Sequence, residues 1–118
     1  MLVEIVTDKP HSSFKDEIGK KYGSGSQEMH RYQLYGLLPE EFDRMMERQD
    51  YKCACCSRHL LDLNSKQVHI DHNHALEKED LGFVRGILCG QCNVGLGAFK
   101  EDVRILELAI VYLQKFEV

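Results

Sequence analysis

Residues 68–74 read VHIDHNH, and a cysteine pair flanks this run on either side, Cys53 with Cys56 before it and Cys89 with Cys92 after it. Each pair is a C-x-x-C knuckle. Two knuckles supply four soft thiolates at the corners of a tetrahedron, the donor set that suits zinc. A closed four-thiolate site leaves no position for water, so the expected zinc is structural. A thioredoxin-type redox role would need one pair in a βαβ context, which the sequence does not offer. Cys55 reads as a bystander, and His59, three residues after Cys56, as a poor substitute ligand.

With the staple complete, the residues of Asp-His-Asn-His are free for other chemistry. Asp71 offers hard carboxylate oxygens of the kind that suit Mg²⁺ or a similar divalent ion. His72 carries the side chain best matched to proton transfer near neutral pH, and His74 follows two residues on. Asn93 directly follows Cys92, so the second knuckle fixes its position, and its amide oxygen can complete an ion site with Asp71. Three residues further on, where a helical carboxylate partner would sit, the chain has Leu96. The pattern predicts one reaction-centre ion with few protein ligands, not a carboxylate-rich pair of ions.

The elements that must position these residues follow from patterning. QVHID (67–71) and LGFVRGILC (81–89) read as two strands joined by the polar run HNHALEKED. Strict alternation would put Asp71 and His72 on opposite faces, so the first strand is expected to break into a loop near Asp71. His69 is expected to face solvent, opposite Val68 and Ile70. Arg85, in the second strand, is a candidate phosphate contact, with a surface or salt-bridged arginine as the plainer alternative.

Upstream, LVEIV suggests a short strand, and Phe14, Ile18 and Tyr22 fall four apart as on one helix face. GSGS at 23–26 reads as a flexible joint. A short helix follows, with Ser26 as N-cap and Gly36 past its end. Pro39 then opens a further helix whose Phe42, Met45, Met46 and Gln49 form a core-facing stripe. Leu38 stands where a Ser or Thr cap would be more comfortable. A final helix is expected from about Lys100 to Phe116. Its polar side holds Glu101, Arg104, Glu107, Gln114 and Lys115, and the rest is apolar over more than half the circumference. So wide a stripe fits either a second subunit or insertion between two elements of the same chain. Residues 1–25 read as an N-terminal extension and 26–118 as the working domain.

The chain has 118 residues, 15 Lys+Arg against 19 Asp+Glu, and a formal net charge of −4. Bulk charge gives no support to nucleic-acid binding, so that function must rest on a local site. Lys20, Lys21 and Arg31 make only a modest basic group. No apolar run approaches the ~20 residues of a membrane span, and the N-terminus lacks the pattern of a secretory signal. An intracellular protein is the expectation, which also favours metal ligation over disulfides for the cysteines.

HIDHNH, then FVRGILCGQCNVGLG, preceded by YGLLPEEFDRMMERQDYKCACC, resembles the phage recombination endonuclease VII family of HNH, or His-Me finger (ββα-metal), nucleases. The resemblance covers about residues 30–116. It implies an α+β fold: a small zinc-stapled β-hairpin followed by a helix, with flanking helices. It implies that Asp71 and Asn93 hold a catalytic Mg²⁺ or Mn²⁺, that His72 is the general base and that His74 orients or polarises the scissile phosphate. Cys53, Cys56, Cys89 and Cys92 would hold the zinc. The implied partner is DNA, duplex or branched, cut to 5′-phosphate and 3′-hydroxyl ends in the cytoplasm of a bacterial host. A homodimer through the C-terminal helix would supply two active sites for a junction. The rival readings are a non-catalytic zinc module for nucleic acid or protein, a mixed Cys/His zinc site, and an RNase or toxin role on the same fold.

Overall fold

The computed structural model describes residues 11–117, with side chains from Phe14 onward. The expected strand LVEIV lies outside the described residues. Helix α1 (His11–Tyr22) packs on α2 (Gln27–Tyr35) through Ile18, Met29, Tyr32 and Leu38, with Phe14 against the cluster. The joint between them is a hydrogen-bonded turn: Ser26 Oγ donates to the Gly23 carbonyl at 2.7 Å and accepts from Met29 N–H at 3.1 Å. Ser26 is thus the N-cap of α2, and Gly36 ends it at φ 67°, the left-handed conformation that glycine adopts without cost.

Helix α3 (Pro39–Arg48) begins at its proline as expected. Leu38 has no side-chain acceptor, and Glu41 compensates by reaching back to accept from Leu38 N–H at 2.9 Å. Its carboxyl is buried, and desolvation, opposed by that hydrogen bond, raises its pKa above the ordinary value. Phe42, Met45 and Met46 face inward and meet Leu37, Leu60, Ile87 and Leu88 in the main core, together with Cys53 and Cys89. Two of the four expected zinc ligands therefore belong to the core itself, so the staple and the hydrophobic packing form one unit.

Strands β1 (Val68–His72) and β2 (Val84–Cys89) form an antiparallel hairpin. The expected break near Asp71 does not occur, because β1 runs on through His72. Instead Asp71 pairs with Gly86 and His72 with Val84, so Arg85 is the extra residue of a β-bulge. The bulge lies in β2, so β1 keeps its alternation, and Asp71 and His72 are joined through Arg85, Glu101 and His74. β2 starts at Val84, later than the pattern at 81 suggested, because Gly82 (φ 85°) is still in the connecting turn. The polar connector is braced by its own side chains: Asn73 Oδ1 accepts from Ala75 N–H at 3.0 Å, and Asp80 Oδ2 from Glu77 N–H at 2.9 Å. His69 is half-buried rather than solvent-facing, with its imidazole packed over Gly90.

After the hairpin, α4 (Gly90–Ala98) packs on both strands. The final helix, α5, spans Val103–Gln114 and not Lys100–Phe116. Asp102 caps it, accepting from Arg104 and Ile105 N–H at 2.9 and 3.3 Å. Lys100 and Glu101 take left-handed φ values of 58° and 55° in the connector, so Glu101 is not on the polar face of that helix. No residue of α5 is buried, and Leu108, Ile110, Tyr112, Leu113 and Phe116 are exposed. Among the described residues, the apolar stripe is not inserted between two elements of the same chain. The fold is α+β, a small hairpin among helices with four cysteines clustered at its base.

Candidate active site and zinc centre

The first knuckle turns at residues 53–58. Cys53 N–H donates to the Arg58 carbonyl at 2.7 Å, and Ser57, at φ 66°, donates to Cys53 O at 3.0 Å. Ala54 N–H to the Ile87 carbonyl, at 3.1 Å, ties this loop to β2. The second knuckle is the junction of β2 and α4. Together they gather the sulfurs of Cys53, Cys56, Cys89 and Cys92 within 4.8 Å of one another, the pair Cys56–Cys89 at 3.7 Å. A tetrahedron with Zn–S bonds of roughly 2.3 Å has edges of about 3.8 Å, so the donor set fits one zinc ion.

Backbone N–H groups point at the same sulfurs. Cys55 and Cys89 donate to Cys53 Sγ at 3.4 and 3.3 Å. Burial pushes the Cys53 thiol up, but hydrogen bonds from the backbones of Cys56, Cys89 and Cys55 prevail and hold it at about 6. Burial and the neighbouring sulfurs push Cys92 up. Zinc takes its cysteine ligands as thiolates, so an ion at this cluster would offset the charge that gathers on the four sulfurs. Cys55 is exposed, and neither it nor His59 belongs to the four-residue cluster.

Asp71, His72 and His74 are linked around the bulge, while Asn73 braces the connector. Arg85 grips Asp71 with two hydrogen bonds, Nε to Oδ2 and Nη2 to Oδ1, each 2.8 Å. The same Nη2 also donates to Glu101 Oε1. Glu101 Oε2 lies 3.7 Å from His74 Nε2. The His74 ring centroid is 4.4 Å from that of His72, which also packs against Phe83 at 5.0 Å and Tyr35 at 5.4 Å. Asp71, Arg85, Glu101, His74 and His72 thus form one continuous chain of contacts. The hydrogen bonds it donates to Asp71, opposed by burial and joined by the one to Glu101, hold the Arg85 guanidinium above its ordinary pKa.

Asn93 sits half-buried in the first turn of α4, one residue after a zinc-cluster cysteine. Arg85 is salt-bridged, the plainer of its two sequence readings, though 38% of its side chain remains exposed. Three members of the site escaped the sequence reading. Glu101 reads in the sequence as part of a helix face, and its placement depends on two left-handed residues, Lys100 and Glu101, that carry no glycine signal. Phe83 is brought to His72 by the hairpin, where Asn73 N–H donates to Phe83 O at 2.7 Å, and Tyr35 comes from the end of α2. Arg31, counted among the basic residues, lies over the Phe42 ring at 3.6 Å, and burial lowers its pKa.

Residues 28–115 match the family model of recombination endonuclease VII. Among similar proteins are two called "Gene 59 protein". That of Mycobacterium phage D29 is 35% identical over 82 residues, 69% of this chain and 46% of its own length. That of Mycobacterium phage L5 is 32% identical over 80 residues, 67% of this chain and 44% of its own length. The chain thus matches less than half the length of these relatives. With the family model spanning most of the sequence and both knuckles, the chain belongs to the recombination endonuclease VII family.

Proposed function

We propose that residues 26–118 form a metal-dependent DNA endonuclease of the HNH, His-Me finger class. The observation that carries the reading is the continuous contact chain from Asp71 to His72 across the β-bulge, built against a zinc-type cysteine cluster. Asp71 already holds a cationic group with both oxygens, and with Asn93 it would hold Mg²⁺ or Mn²⁺. Bound there, the ion would offset charge on the phosphate and on the leaving 3′ oxygen.

The chain's own residues do the rest. His72 accepts a proton from water as the water oxygen attacks phosphorus. The P–O3′ bond breaks, leaving a 5′-phosphate and a 3′-hydroxyl. Tyr35 and Phe83 flank the His72 ring and limit its rotation. His74 orients or polarises the phosphate, and Arg85 contacts it. The four cysteines hold structural zinc, which fixes Asn93 through Cys92.

The exposed apolar face of α5 is read as a homodimer contact, giving two active sites for duplex or branched DNA. The phage relatives support a phage or prophage origin and action in the bacterial host cytoplasm. Among the described residues no helix is long and apolar enough to cross a membrane. The direct test is end chemistry on a nicked plasmid and a cut four-way junction. Products sealed by DNA ligase without prior treatment carry the expected ends. Products that need a 3′-phosphatase first contradict the mechanism.

A further inference from the structure

Asp71 cannot give the same oxygen lone pairs to a divalent ion and to a bidentate guanidinium. If the ion binds there, Arg85 must release at least part of its grip on Asp71. Its second partner is Glu101, which shares the Nη2 group with Asp71. The other Glu101 oxygen faces His74 Nε2 at 3.7 Å. One carboxylate therefore spans the two side chains to which the proposed mechanism gives the phosphate. Its own placement is firmly determined: Glu101 N–H donates to Leu96 O at 2.8 Å, and Lys100 N–H to Gly97 O at 2.9 Å. Two consecutive non-glycine residues in the left-handed region persist only where their surroundings over-determine them. That pair turns the α4–α5 connector back over the hairpin and separates Glu101 from the helix its sequence pattern suggests.

We infer that Glu101 is a positioning residue that keeps Arg85 and His74 aimed at the scissile phosphate once Asp71 gives its oxygens to the catalytic ion. The inference rests on the proposed nuclease reading. Asp71 and Glu101 divide the work: the first alternates between guanidinium and metal, and the second stays with Arg85 and His74 throughout. Leu96, one turn along α4 from Asn93, leaves that helix with no carboxylate for this purpose, and the connector supplies it instead.

The test uses the full chain with confirmed zinc content and two readouts that need no DNA cleavage. Mn²⁺ titration followed by electron paramagnetic resonance is expected to show at least tenfold tighter binding in Arg85→Ala, because the competing cation is gone. Unchanged or weaker binding would overturn the exchange at Asp71. In ¹⁵N spectra of the ion-free protein, the His74 ring signals are expected to shift in Glu101→Ala and to remain near wild type in Glu101→Gln, which keeps an acceptor. Signals that do not move in Glu101→Ala overturn the contact. In cleavage, Glu101→Ala should lower kcat at least tenfold with KM within about threefold, and much less in an Arg85→Ala background. Effects that multiply independently in the two backgrounds contradict a role exerted through Arg85. If no form of the protein cuts DNA, the nuclease reading fails, while the Mn²⁺ and ¹⁵N measurements still decide the local arrangement.

Discussion

Gln49 serves both backbone polar groups of Ile87. Its Nε2 donates to Ile87 O and its Oε1 accepts from Ile87 N–H, each at 2.9 Å, and Nε2 donates again to Lys52 O at 2.8 Å. Ile87 is fully buried, in the strand that carries Arg85 and leads to Cys89. A side chain on the last turn side of α3 thus substitutes for a neighbouring strand, and locks the helix to the hairpin and to the first zinc knuckle. Gln49→Leu keeps the volume and takes this partner from Ile87 N–H and Lys52 O, while Ile87 O keeps the Ala54 N–H. At roughly 1–3 kcal/mol for each buried group left unpaired, the zinc-loaded variant should lose about 2–4 kcal/mol in urea unfolding. A loss below about 0.5 kcal/mol would mean that water replaces the amide.

The cysteine cluster should bind one zinc ion per chain. Cys89→Ser removes a ligand that is also a core residue, so it should lose both zinc and cooperative unfolding. Cys55→Ser should keep full zinc content, because Cys53, Cys56, Cys89 and Cys92 already form a complete four-sulfur group. His72→Ala and His74→Ala should also keep it. Zinc content by elemental analysis separates these outcomes, and loss with either histidine would restore the mixed-ligand reading.

The α5 face is expected to mediate self-association. Ile110 and Leu113 lie three apart on it, and both are more than half exposed. Wild type should show a dimer mass by light scattering at micromolar concentration, and Ile110→Asp with Leu113→Asp should give a folded, zinc-loaded monomer. A wild-type monomer at all accessible concentrations would assign the face to a different partner.

Legibility followed the range of the interactions. Ser26, Gly36, Pro39 and the Phe42/Met45/Met46 stripe announce their elements because caps and periodicity are local. The cysteine knuckles are legible for the same reason, since their spacing alone carries the ligand geometry. The bulge was not, because the extra residue in β2 is defined only by pairing with β1. The alternation rule instead suggested a strand break at Asp71. Glu101 was hidden by its apparent membership of an amphipathic helix. Asp102, the true cap, lies one residue later, and the left-handed turn at Lys100 and Glu101 leaves no mark in composition.

The central claim is that His72 takes the proton of the attacking water. Supercoiled plasmid and a four-way junction, incubated with Mg²⁺ or Mn²⁺ and either wild type or zinc-loaded His72→Ala, test it most directly. The expected result is cleavage by wild type and a loss of at least ~10²-fold in the variant, in line with removal of a general base. A variant that cuts as fast as wild type would contradict the assignment of the base. A wild type that cuts neither substrate with either ion would contradict the nuclease reading itself.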